Sequence, residues 1–100
     1  IKVGSAEIER VLNTVDGIRE TAAVAVPPLN GGPSRLIIFV VLKKPLYSLI
    51  EVLQDMIRKR INPLFKISDV IELKSLPRTD SNKVIRRVLR EQYLLSRKMS

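Results

Sequence analysis

Ile8, Val11, Leu12 and Val15 recur at the i, i+3, i+4, i+7 spacing of a helix with one buried face. Ser5 stands where a hydroxyl can cap the first turn, Glu7 and Glu9 follow where the helix dipole favours negative charge, and Asp16-Gly17 supplies a stop. Ala22 to Val26 is a short apolar run closed by Pro27-Pro28, and Asn30-Gly31-Gly32-Pro33 is a turn by composition. Leu36 to Leu42 is apolar at every position, the signature of a central strand covered on both faces. The short connection predicts that these two strands pair antiparallel. Ser48 and Glu51 have the spacing of a capping box, and Leu49, Ile50, Leu53, Met56 and Ile57 form the apolar stripe of a second helix that Asn62-Pro63 ends. Asp69 to Leu73 reads as a third strand and Leu76 to Asn82 as a loop. A final helix is expected from Val84 to about Arg97, with Ile85, Val88, Leu89 and Leu95 inward and Arg86, Arg90 and Arg97 elsewhere. The order predicts an α+β domain, a mixed or antiparallel sheet of about three strands packed by three helices.

Composition narrows the chemistry. The chain has 100 residues, 45% of them hydrophobic, enough for one folded domain over 1–100. No apolar run has the length of a membrane span, and no stretch at the start reads as a signal peptide. Cysteine and histidine are both absent, which excludes disulfides, thiolate or imidazole metal sites and serine–histidine catalysis within the chain. Chemistry here must use lysine, arginine, carboxylates, hydroxyls or backbone. The net charge of +8 implies an anionic partner. The start at Ile1 rather than methionine suggests a piece of a longer protein.

Two segments carry the candidate chemistry. In Pro77-Arg78-Thr79-Asp80-Ser81-Asn82-Lys83, a lysine arrives at the expected start of a helix, where the dipole is positive and repels it. An ammonium beside free backbone amides makes an anion site, although a lysine in a loop is also an ordinary solvated residue. The wider pattern resembles the terminal motif of the adenylate-forming family, which includes acyl-CoA synthetases, peptide-synthetase adenylation domains and luciferases. Pro77, Thr79, Ser81, Lys83 and Arg87 fall at matching positions. The resemblance implies that Lys83 contacts the substrate carboxylate and the ATP α-phosphate while an acyl-adenylate forms. Asn82 replaces the family's usual glycine, in the manner of some plant acyl-activating enzymes. If the position needs positive φ, asparagine is the least costly substitute.

Ile1 to Glu9 resembles the family's segment just past its hinge, with Lys2, Gly4, Glu7 and Glu9 at matching positions. The resemblance implies that Lys2, Val3 and Gly4 face coenzyme A and its pantetheine arm. Glu7 and Glu9 read as helix-start carboxylates and no more. Glu20 to Pro28 and Leu36 to Lys43 also resemble family strands, so the likeness runs through nearly the whole chain.

Taken together, the resemblance implies the mobile C-terminal domain of an acyl-CoA synthetase that uses ATP with Mg2+, a carboxylic acid and coenzyme A. Its partner would be the N-terminal domain of the same enzyme, in the cytoplasm or, alternatively, the peroxisome. A carrier-protein acceptor is a variant of that reading. The rival is a nucleic-acid-binding module, because six basic residues from Lys83 to Lys98 face only Glu91. Against it, Phe39, Tyr47, Phe65 and Tyr93 are scattered and offer no stacking platform.

Overall fold

The computed structural model describes residues 4–28 and 31–99. The elements run α1 (Ser5–Leu12), β1 (Ile18–Val26), β2 (Arg35–Leu42), α2 (Leu49–Arg60), β3 (Ile67–Glu72) and α3 (Arg86–Met99). The sheet has the order β1-β2-β3, with β1 antiparallel and β3 parallel to β2, so the α+β class and the mixed three-stranded sheet are as expected.

The unbroken apolar run of β2 reflects its place at the centre. Alternate side chains of a strand point to opposite faces. Ile38 and Val40 join Ile8, Leu12, Leu53, Ile57 and Ile67 in a core beneath α1 and α2. Ile37, Phe39 and Val41 join Leu76, Leu89 and Tyr93 in a second core beneath α3. β1 alternates in step, Ala23 to the first core and Ala22, Val24 and Val26 to the second. A register shift between Ile18 and Glu20 then returns Ile18 to the first core.

Several boundaries differ from expectation. Gly4 caps α1 and Ser5 is its first residue, with no side-chain cap bond. The helix ends at Leu12, and Gly17, at φ 93, instead turns the chain into β1. Ser48 lies in the left-handed region at φ 52, so the expected capping box with Glu51 does not form. β1 begins at Ile18 because Ile18 and Glu20 still pair with the far end of β2. Ile50 is exposed, and Leu53 and Ile57 carry the burial of α2. Asn30, expected in the turn, lies outside the described residues.

α3 starts two residues later than predicted, at Arg86. Its buried side chains are Leu89 and Tyr93, while Leu95 is 60% exposed. Arg86 and Arg90 lie toward the domain rather than away from it. Arg86 meets Glu9, and Arg90 Nε donates to the carbonyl of Ala25 at 3.0 Å. Long basic stems cover apolar surface while their heads find oxygen.

Candidate functional site: the lysine loop

The chain leaves β3 through Leu73, whose N–H donates to Val40 O at 2.8 Å, and is anchored by buried Leu76. It then forms a tight hairpin. Arg78 and Val84 pair as an antiparallel bridge, and Ile85 N–H donates to Pro77 O at 2.9 Å. At the tip, Asn82 N–H donates to Thr79 O and Thr79 N–H donates to Lys83 O, each at 2.9 Å. These bonds are those of a three-residue hairpin loop ending in a bulge residue of positive φ. Asn82 occupies that position, at φ 68. The expectation that asparagine replaces glycine at a left-handed site therefore holds.

Thr79 organises the tip from its side chain as well. Its Oγ1 accepts the Lys83 N–H at 3.2 Å and lies 3.0 Å from Ser81 Oγ. Lys83 is therefore not at a helix start. It stands on the returning leg of the hairpin, three residues before α3, with its backbone N–H and C=O both bonded and its side chain exposed. The expected clash with a helix dipole does not arise there. What sets Lys83 apart is the pairing of its neighbours.

Arg78 forms a two-pronged ion pair with Glu20, Nη1 to Oε2 at 3.1 Å and Nη2 to Oε1. This bond pushes the Arg78 guanidinium further into its charged form. Arg86 Nη2 meets both oxygens of Glu9, at 2.7 and 2.9 Å. Arg87 pairs with Glu91 one helical turn on, at 3.1 Å. Among the described residues from Arg78 to Arg87, Lys83 is the cation without a carboxylate partner.

Glu9 has a larger part than the sequence suggested. Its carboxylate also accepts the backbone N–H of Ala23 at 2.8 Å, and its side chain is 16% exposed. It thus joins α1, β1 and the start of α3. Nothing local in the sequence announces such a pair, because its members are 77 residues apart. Glu7 lies in the first turn of α1, as expected, and pairs with Arg10, whose hydrogen bond holds its carboxyl below the usual carboxylate range.

The second predicted segment is described only in part. Lys2 and Val3 lie outside the described residues. Gly4 is exposed at φ −83, and a Cβ there would meet none of the described residues within 4 Å. Next to it, Ser5 lines a groove of about 530 Å³ with Arg35, Leu64, Phe65 and Lys66. No group of three acidic side chains gathers into a metal site among the described residues.

Among the described residues, the arginines of the final helix are engaged within the domain. Arg86 and Arg87 are paired, Arg90 bonds to Ala25, and Arg97 lies over the Tyr93 ring at 5.9 Å. Arg35 lies 5.8 Å from the same ring.

Comparison with known proteins agrees with this geometry. The profile of the AMP-binding enzyme C-terminal domain matches residues 7–83, from α1 to the lysine itself. A probable acyl-activating enzyme 17, peroxisomal, of Arabidopsis thaliana is 56% identical over 92% of this chain and 14% of its own length. A hexanoyl-CoA synthase of Cannabis sativa is 50% identical over 93% of this chain and 14% of its own. The chain thus spans about a seventh of these curated relatives. A benzoate CoA ligase from Burkholderia xenovorans superposes with a TM-score of 0.76 at 34% identity, over 88% of this chain and 18% of that structure. An acyl-CoA synthetase from Brucella canis shares the fold, with a TM-score of 0.82 at 23% identity, over 97% and 18%. The chain belongs to the AMP-binding enzyme C-terminal domain family.

Proposed function

We propose that the chain serves an AMP-forming acyl-CoA synthetase as its mobile C-terminal domain, with Lys83 as the residue that acts on the reacting phosphate. The observation that carries this reading is the uncommitted ammonium of Lys83 on a hairpin whose arginines are all paired with carboxylates. A carboxylate attacking a phosphate brings two anions together, a repulsion of about 4 kcal/mol at contact for an effective dielectric near 20. An ammonium bridging both offsets that repulsion and stabilises charge that develops on the phosphate oxygens. Lysine suits this as a compact charge on a flexible stem. The carboxylate oxygen displaces pyrophosphate from the α-phosphorus of ATP, and the thiol of coenzyme A then displaces AMP from the mixed anhydride.

For the second step the Lys2–Gly4 segment faces the pantetheine arm. That no described residue would exclude a side chain at Gly4 supports this, because the described part of the fold does not require glycine there. The adjoining groove, with Lys66, offers a cation to the phosphates of coenzyme A. Magnesium accompanies ATP, but the described residues provide no carboxylate cluster to hold it. Use of two segments in turn makes the domain a conformational gate against its N-terminal partner. The names of the relatives make hexanoate and benzoate natural first probes of the acid. The word peroxisomal in the Arabidopsis name favours that compartment over the cytoplasm. No helix among the described residues is long and apolar enough to cross a membrane.

The test separates the half-reactions in the complete enzyme. Lys83→Ala is expected to spare thioester formation from supplied acyl-adenylate while adenylate formation falls. Gly4→Trp is expected to impair the thioester step more than adenylation. Equal loss of both half-reactions in either variant would refute the assignment of separate roles.

A further inference from the structure

Lys83 can bridge two anions only if its hairpin is held in one direction, and little of the sheet holds it. Beyond β3 the hairpin has the single bridge between Arg78 and Val84, and its tip from Thr79 to Lys83 is exposed. Buried Leu76 secures the entry and partly buried Val84 the exit. Each leg also carries one arginine, Arg78 before the tip and Arg86 after it. Both arginines reach far back along the chain, across 58 and 77 residues, to carboxylates on β1 and α1.

Both carboxylates stand on regular elements of the fold. Glu20 sits at the register shift of β1, which re-aims side chains, and is 23% exposed. Glu9 is tied to the N–H of Ala23 in the middle of the same strand. Arg86 meets Glu9 through one nitrogen, where Arg78 makes a parallel fork on Glu20. It spends Nη2 on both oxygens of Glu9 and leaves its buried Nε without a partner.

We propose that Glu9 and Glu20 are positioning residues for Lys83, two carboxylates that clasp the legs of its hairpin through Arg86 and Arg78. This rests on the reading of Lys83 given above. An error of about 1 Å in placing a catalytic group costs roughly a hundredfold in rate. Loosening one leg is therefore expected to slow adenylate formation about ten- to a hundredfold. Binding of ATP and acid, which the partner domain largely supplies, should change little, and so should the thioester step.

The experiment uses the complete enzyme and whichever of acetate, hexanoate and benzoate the unaltered enzyme turns over fastest. Glu20→Gln, Arg78→Gln and the double variant are compared in each half-reaction, alongside Lys83→Ala. The expected result is a fall in kcat for adenylation with KM within about twofold, thioester formation within about twofold, and a double variant no slower than either single one. Exchanging the charges, Glu20→Arg with Arg78→Glu, should recover part of the lost rate. Glu9→Gln should act in the same sense, and Arg86→Lys should lose less than Arg86→Gln.

Parallel decline of both half-reactions together with the melting temperature would overturn the proposal in favour of plain structural support. Unchanged adenylation in Glu20→Gln and Glu9→Gln would overturn it too. If Lys83→Ala abolishes adenylation while these variants do not, only the positioning role fails. If Lys83→Ala is harmless, the reading of Lys83 fails first.

Discussion

Replacing Asn82 by valine puts a β-branched side chain at a backbone position with φ 68. Asparagine tolerates this left-handed region, whereas a residue with a branched Cβ crowds the following carbonyl, at a cost of about 1–3 kcal/mol. The strain is set against the bonds that close the tip: Asn82 N–H to Thr79 O, Thr79 N–H to Lys83 O, and Lys83 N–H to Thr79 Oγ1. Each is exposed, and a net value near the low end, about 0.5–1 kcal/mol apiece, is appropriate. The two sums are comparable, so Asn82→Val should leave the tip open for a large fraction of the time. Core side chains are not involved, and the melting temperature should stay nearly constant. Amide hydrogen exchange should show faster exchange at Thr79, Asn82 and Lys83, with β2 unaffected. Adenylate formation in the complete enzyme should fall by about tenfold, following the closed fraction and the loss of alignment. Asn82→Gly meets no such strain and should keep the rate within about twofold. Full protection and full rate in Asn82→Val, or equal damage from glycine and valine, would refute the claim that backbone conformation at this residue sets the tip.

Other predictions concern the domain itself. Tyr93 donates to Asp69 Oδ2 at 3.2 Å, and burial, followed by the Asp69 charge and hydrogen bond, raises its pKa. The neutral form is therefore favoured by folding. That stability is fully present below the unfolded tyrosine pKa of about 10 and is lost as pH rises through the higher folded value. Chemical denaturation from pH 8 to 12 should show this loss in the parent and less of it in Tyr93→Phe; a loss of the same size in both would contradict the assignment. Leu89→Ala removes a fully buried side chain and should cost about 2–5 kcal/mol, whereas Leu95→Ala, on the same helix but largely exposed, should cost under about 0.5 kcal/mol. Thermal melts of the two variants give the comparison, and similar shifts would mean that α3 packs on another face.

Features governed by local pattern are the ones most legible in the sequence. The apolar run of β2 needs both faces covered, and α1 and α2 on one side with α3 on the other cover it. The positive φ of Asn82 is legible from the replacement of glycine, because few residues can stand in for it there. Features decided by distant partners are not legible. The apolar run of β1 starts at Ala22 in the sequence, yet the strand begins at Ile18 because the far end of β2 is there to pair with. α3 begins late because Ile85 gives its N–H to Pro77 in the hairpin instead of to a helical carbonyl. Its buried stripe departs from the apolar pattern because Arg86 and Arg90, polar by type, pack inward once Glu9 and the Ala25 carbonyl receive them. The pairs of Glu9 with Arg86 and of Glu20 with Arg78, 77 and 58 residues apart, are equally out of reach of local pattern.

ATP–pyrophosphate exchange by the complete enzyme carrying Lys83→Ala tests the central claim most directly, because exchange requires adenylate formation and needs no thiol. With the uncommitted ammonium of the hairpin removed, exchange should fall by at least about a thousandfold, the scale of losing a contact made at the transition state. Exchange at the parental rate would contradict it.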